Sequence, residues 1–254
     1  MFALERQQRI LELLEQNGAV WVSKLSEEMG VTEETVRRDL EKLEKRELLR
    51  RTHGGALPID EGSYDLSLAK RKGINVEIKE KLAQEAVRHI ATGDTVFLDA
   101  STTTFFMARA LKKMKRVTVI TNSVRIINEL MDHDAIKVIA VGGLVSQNQS
   151  FVGQLAVRSI KEDYFANKMF FSSKGITLDA GILESNEQEC GIKQQMLENA
   201  KERYYLCDQS KIGRIGFVKL APFAQIDHII TEADLDGEWT AALQEEQVDV
   251  IQAK

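Results

Sequence analysis

The chain has 254 residues, of which 43% are hydrophobic and 29% charged, and a formal net charge of −5. That length suits one large domain or one small and one large, and the apolar share is enough for a real core. No run of roughly eighteen apolar residues is present, which excludes a membrane-spanning helix. The opening residues, Met1 to Arg6, lack the basic and apolar regions of a secretion signal. Cys190 and Cys207 are too few for a disulfide framework and lack metal-ligand spacing. A cytoplasmic chain is expected, with no metal, no cofactor and no membrane attachment. The negative balance argues against a protein coated with nucleic acid, but a local basic patch is enough for a specific contact.

Such a patch lies at residues 37–53, where Arg37, Arg38, Lys42, Lys45, Arg46, Arg50 and Arg51 outnumber Asp39, Glu41, Glu44 and Glu47. Its surroundings are helical. Leu4 to Gln16 places Ile10, Leu11 and Leu14 on one stripe, and Asn17-Gly18 ends that helix, since both residues tolerate a left-handed backbone. The apolar stretch Ala19 to Val22 leads into a second helix, in which Leu25 and Met29 share a face and Gly30 closes the end. A third helix starts at Thr32, whose hydroxyl suits an N-cap, and Glu33 and Glu34 suit the helix dipole. Val36, Leu40 and Leu43 form its buried stripe. Glu34, Arg38, Glu41 and Lys45 lie opposite, with Thr35, Arg37 and Lys42 on the flanks. A helix, a tight glycine turn and a second amphipathic helix make the helix-turn-helix pattern. Thr and Arg near the start of the third helix suit a major groove; taken alone, that helix is equally an ordinary solvated one. Leu48-Leu49 followed by Arg50, Arg51, Thr52, His53, Gly54 and Gly55 reads as a small β-wing whose arginines would reach backbone phosphates.

Arg6, Ile10 and Leu14 at four-residue spacing, followed by Thr32, Thr35, Val36, Arg37, Arg38, Asp39 and Leu40, resemble the signature of the DeoR-family winged helix-turn-helix repressors. Arg51 to Ala56 resembles the end of that family's wing. The resemblance implies sequence-specific binding of double-stranded operator DNA. On the exposed face starting at Thr32, the residues Glu34, Thr35 and Arg38 are placed for base edges. Arg37, Lys42, Arg50 and Arg51 are placed for phosphates, which fix register without reading sequence. Asp39 lies toward the buried side and is read as a structural partner for an arginine. Trp21 stands where the family has a capping Ser or Thr, so the second helix is expected to start around Ser23. Glu47 stands where a C-cap glycine is common, so the third helix is expected to end less sharply.

The domains expected are residues 1–57, a linker at 58–73 carrying Pro58, and residues 74–254. Within the linker, Lys70-Arg71-Lys72 reads as a solvated basic run, with a supporting DNA contact as the weaker alternative. Beyond it, helical patterns alternate with strands. Helices are expected at Glu77–Ile90, near Thr103–Leu111, near Val124–Met131 and between about Asn186 and Ala200. Strands are expected at Thr95–Leu98, Val117–Thr121, Lys137–Val141, Lys168–Ser172, Arg203–Cys207, Asp227–Thr231 and Val248–Ile251. This alternation predicts an α/β domain with a mostly parallel sheet covered on both faces. Ligands bind beyond the carboxyl ends of such strands.

Polar residues gather at those ends. Asp99, Ser101, Thr102, Thr103 and Thr104 open a helix, whose N-terminus suits a phosphate. Thr121-Asn122, Gly142-Gly143, Ser150 with Gly153, Lys174, and Asp208 with Ser210 and Lys211 follow other strands. Together they predict a pocket for a small polyhydroxylated anion. The same positions, with Glu189 and Lys193, resemble the DeoR-family sensor domain, which is similar in fold to ribose-5-phosphate isomerase. The resemblance implies a phosphorylated sugar as effector: Thr102, Thr103 and Thr104 on phosphate, Asp99, Asn122 and Asp208 on hydroxyls, and Lys211 paired with charge. Ser101 replaces a frequent glycine, and Lys174 replaces an acidic residue before Gly-Ile. The reading is a repressor of a sugar catabolic operon that the phosphorylated sugar releases, acting as a homodimer or homotetramer on paired half-sites and not as an enzyme. The alternative is an isomerase-like enzyme with an accessory DNA-binding domain, for which Asp99, Glu189 and Lys211 are candidate proton-transfer groups.

Overall fold

The computed structural model describes residues 3–17, 20–46, 48–51, 54–57 and 73–254. The chain divides into two compact units, Met1–Asp65 and Leu66–Lys254. Gly18, Glu47, Thr52, His53 and the linker apart from Gly73, with its Lys70-Arg71-Lys72 run, lie outside the described residues.

The first unit runs α1 (Ala3–Asn17), β1 (Val20–Trp21), α2 (Val22–Met29), α3 (Glu33–Lys45), β2 (Arg50–Arg51) and β3 (Gly55–Leu57). Its core is local: Ile10 and Leu14 of α1 meet Leu25 of α2 and Val36, Leu40 and Leu43 of α3, all buried. Gly30 takes φ 63°, and its N–H reaches back to the end of α2, a left-handed stop that favours glycine. Thr32 caps α3 by accepting from the Thr35 N–H at 3.3 Å. The second helix starts at Val22, within a residue of the expected Ser23 and with no side-chain cap from Trp21; its first N–H is satisfied by the wing, Val22 N donating to Gly54 O at 2.9 Å. The third helix is followed by a bond from Leu48 N–H to Leu43 O at 2.9 Å, and Glu47, on which the expectation of a less sharp end rests, lies outside the described residues. The short strands form one antiparallel sheet in the order β1-β3-β2.

The second unit holds a seven-stranded sheet in the order β15-β14-β12-β9-β4-β5-β6, and every pairing in it is parallel. Its strands are β4 (Thr95–Leu98), β5 (Val117–Thr121), β6 (Ile136–Ala140), β9 (Ala166–Phe171), β12 (Ala200–Leu206), β14 (His228–Thr231) and β15 (Asp249–Gln252). Side chains alternate across it, as strand geometry requires. Val96 and Leu98 join a core with α4 (Val76–Arg88), α5 (Thr102–Leu111) and α6 (Val124–Leu130). Phe97 joins the opposite core with α7 (Gln154–Asp163), α8 (Glu187–Glu198) and α9 (Gly237–Glu245). The doubly covered parallel sheet is the one expected, with element ends differing by up to three residues. The structure adds α7, α9, the hairpin β7 (Leu144–Val145) with β8 (Phe151–Val152), and an antiparallel sheet of β10 (Gly175–Thr177), β11 (Gly181–Glu184) and β13 (Val218–Ala221). No described helix is long and apolar enough to cross a membrane.

Candidate DNA interface and effector site

In the first unit, α3 buries Val36, Leu40 and Leu43 and turns Glu34, Arg37, Arg38 and Lys42 outward. Arg37 pairs with Glu33 at 2.9 Å and Arg38 with Glu34 at 3.3 Å, each one turn back and each well exposed. Exposed pairs of this kind are weak, so both guanidiniums are readily exchanged onto another anion. Thr35 is half-buried, its hydroxyl 2.9 Å from that of Thr32. Asp39 faces inward, as expected: it accepts from Arg6 Nε at 2.5 Å and from Gln7 Nε2 at 3.1 Å. The carboxylate thereby ties α1 to the back of α3. Arg51 is tied to α3 through its backbone, N–H to Glu44 Oε1 at 2.9 Å, so the wing and the helix share one frame. Arg50 pairs with Leu57 in the sheet.

In the second unit, the carboxyl ends of β4, β9 and β12 bring a charged cluster together. Asp99, just beyond β4, accepts from Ser101 N–H at 3.2 Å and lies 2.8 Å from the Thr104 hydroxyl. Ser101 caps α5, accepting from Thr104 N–H at 3.2 Å. Lys193, from α8, lies 3.0 Å from Asp99 Oδ2, donates to Ser172 O at 2.7 Å and pairs with Glu184. Burial alone would depress this ammonium, but Glu184 and Asp99 outweigh it and hold the group protonated above its ordinary value. Lys211 donates to Ser172 Oγ and to Asp208 Oδ2, both at 2.8 Å. Burial pushes the Asp208 carboxyl up, yet the charge of Lys211 and the bonds from Lys211 and Ser210 leave it below the usual carboxylate range. Ser172 therefore joins the two lysine centres, through its carbonyl to one and its hydroxyl to the other.

Other expected residues are placed around this cluster or apart from it. Glu189 accepts from Ser150 and, at 3.3 Å, from Ser146, the two serines of the β7–β8 turn. Burial raises its carboxyl above the ordinary value. Asn122 donates to Phe151 O at 3.2 Å. Thr121 spends its hydroxyl on the backbone, donating to Leu98 O at 2.7 Å and accepting from Ser123 N–H at 3.1 Å. Gly143, at φ 144°, sits where a Cβ would stand 2.7 Å from Val152 O, so its need for glycine comes from the hairpin. A Cβ on Gly142 would meet open space. Thr102 is buried in the first turn of α5, and the Lys174 N–H donates to Leu183 O at 3.1 Å. Among the described residues, Thr103 Oγ1 and Asn122 Oδ1 are buried without a hydrogen-bond partner.

Three contributors are absent from the sequence reading. Glu184 ends a strand of the small antiparallel sheet, and Ser172 reads as the last residue of a strand. Asn75 precedes α4 with φ 53° and donates to Ser210 Oγ at 3.3 Å; an Asn before a helix is a turn signal and no more. The two cysteines are buried, and that burial pushes Cys190 up to about 11 and Cys207 up to about 12. No group of three or more His, Cys, Asp and Glu among the described residues could hold a metal.

Comparison with known proteins agrees with this division. Residues 6–61 match the model of a DeoR-like helix-turn-helix domain, and residues 74–233 match that of a DeoR C terminal sensor domain. The chain is 40% identical to an uncharacterized HTH-type transcriptional regulator of Bacillus subtilis, over 98% of this chain and 96% of that one. It is 33% identical to the L-fucose operon activator of Haemophilus influenzae, over 91% and 92% of the two chains. It is 30% identical to the glycerol-3-phosphate regulon repressor of Escherichia coli, over 90% of each. Among solved structures it is similar to ribose 5-phosphate isomerase A of Methanocaldococcus jannaschii, with a TM-score of 0.40 and 20% identity over 54% of this chain and 55% of that one.

Proposed function

Because this chain belongs to the DeoR family of helix-turn-helix transcriptional regulators, we propose that it represses a sugar catabolic operon and is released by a phosphorylated sugar. That it is a sequence-specific DNA-binding regulator follows from the family. The repressing sense is supported by the relative named as a regulon repressor, although another is named an operon activator. The observation that carries the effector reading is the hydroxyl-rich start of α5. Ser101, Thr102, Thr103 and Thr104 surround a helix N-terminus, which favours an anion, and Thr103 and Asn122 keep buried polar atoms unpaired. The free protein, paired on a two-fold axis, holds its recognition helices spaced for two half-sites. The sugar phosphate favours a spacing that does not fit, acting only through its different affinity for the two states.

A thermal-shift panel of phosphorylated pentoses, hexoses and deoxyhexoses tests the effector. A ligand present at about a hundred times its Kd adds roughly 2.7 kcal/mol by mass action, which for a unit this size is a rise of several degrees. The same ligand should release operator DNA. A panel with no shift and no release would overturn the reading. We read the chain as a regulator without turnover, and isomerised product after incubation with the same sugars would overturn that part.

Roles within the DNA interface are tested by two substitutions. Arg38→Ala should relax sequence preference, losing about 1–3 kcal/mol on the true operator and little on a mutated one. Arg50→Ala should weaken all sequences alike and reduce the salt slope by about one. Binding to wild-type and mutated operators at several salt concentrations distinguishes them, and equal losses everywhere from both variants would refute the assignment.

A further inference from the structure

We propose that Asp99, Lys193 and Glu184 form a closed positioning cluster that shapes the effector site without touching the ligand, and that Thr103 meets the phosphate. This rests on the effector site proposed above and divides its residues by what each still has to offer.

A carboxylate has about four acceptor positions and an ammonium three donors. Asp99 has no exposed surface. Its Oδ1 takes Ser101 N–H at 3.2 Å and shares the one proton of the Thr104 hydroxyl, 2.8 Å away, with its own backbone carbonyl at the same distance. Its Oδ2 accepts from Ser172 N–H at 3.4 Å and is ion-paired with the Lys193 ammonium at 3.0 Å. Lys193 in turn donates to Glu184 Oε2 and to Ser172 O, and its ammonium is ion-paired with Asp99 Oδ2 at 3.0 Å. A ligand oxygen reaches either group only by displacing a partner that is itself buried, and an unpaired buried charge is strongly unfavourable. Thr103 is the opposite case. Its hydroxyl is buried with no partner among the described residues, in the first turn of α5. An unpaired buried hydroxyl gains most from a ligand that pairs it.

Glu184 completes the cluster from a different sheet. Its backbone is fixed by Gly216, where a Cβ would stand 2.5 Å from Glu184 O. The carboxylate is therefore delivered to Lys193 by the small β10-β11-β13 sheet, while Lys193 comes from α8 and Asp99 from the end of β4. The cluster sets the distance between those three elements, and through Ser101 and Thr104 the form of the phosphate loop.

The test uses the full chain and inorganic phosphate, titrated calorimetrically below each variant's melting temperature. Lys193→Met leaves Asp99 and Glu184 buried without their cation and should weaken phosphate at least about 30-fold. Adding Glu184→Gln removes the surplus charge, and the double variant should return to within roughly 5-fold of wild type. A direct contact from Lys193 predicts instead that the double variant stays as weak as the single one. Thr103→Val should weaken phosphate roughly 10-fold while leaving the melting temperature unchanged or higher, since it removes an unpaired buried hydroxyl. If Lys193→Met does not fold, the double variant against wild type and the Thr103→Val arm decide. A double variant that does not regain affinity, or a Thr103→Val chain that binds like wild type, would overturn this inference alone. No phosphate bound by wild type would overturn the effector-site reading, and this one with it.

Discussion

Gly55→Ala is expected to abolish operator binding, although Gly55 has no side chain with which to read a base. A Cβ there would stand 1.9 Å from Val20 O and 2.9 Å from Val20 C, both backbone atoms of the paired strand. Overpacking costs about 1–3 kcal/mol where side chains can yield; here only the main chain can move. The register Trp21↔Gly55 and Val20↔Ala56 would have to open. Because β3 lies between β1 and β2, opening it releases the strand that carries Arg50 and Arg51. The bond from Val22 N–H to Gly54 O, which starts α2, goes with it. Gly54→Ala is the control, since among the described residues its Cβ would meet only Trp21 Cε3 at 3.9 Å, an ordinary contact. Operator titration of the two variants should show loss in the first and near-wild-type affinity in the second. Equal behaviour would mean that the wing does not depend on this close approach.

Asp39→Ala should unfold most of the DNA-binding unit while leaving the sensor unit folded. The side chains of Asp39 and Arg6 are 3% and 10% exposed, and removing one member of a buried pair costs about 3–5 kcal/mol because the other charge remains. A whole domain has a stability of only about 5–15 kcal/mol, and a unit of this size lies at the low end. Gln7 loses its acceptor as well. Asp39→Asn keeps an acceptor and the shape and should cost less. Calorimetry should show the first unit's transition moving far down for Ala, partly for Asn, and the second unit's staying in place. A single unchanged melt in both variants would contradict the structural role of the pair.

The first unit was legible nearly throughout, because each signal there is local. Thr32 as cap, Gly30 as stop and the Val36–Leu40–Leu43 stripe each act within a turn or two of themselves. What the residues around Trp21 do not announce is that the first N–H of α2 is satisfied by Gly54, a partner far along the chain. In the second unit, the parallel strands announced themselves as apolar runs. The small sheet did not: β10 and β13 depend on pairing with β11, and short strands carry little periodicity. Helix α7 follows Gly153, which has no side chain to cap it, so its start carries no sign. Asp99, Lys193, Asp208 and Lys211 could be picked out because they follow strands or sit in motif spacing. Glu184 could not, since nothing in Gly-Ile-Leu-Glu says that its carboxylate meets an ammonium from the next helix.

The order of the central sheet also has a meaning in time. β4 is the first of its strands to be synthesised and ends near the middle, between β5 and β9. One neighbour follows almost at once. The other, which pairs Val96 with Lys168, arrives only after two helices, two further strands, a hairpin and α7 have been made. Until then β4 presents an apolar strand with an open side, the kind of surface that nascent chains must have shielded. The first unit waits for nothing, because every residue of its core lies before residue 57. A ribosome thus completes the DNA-binding unit well before the sensor unit.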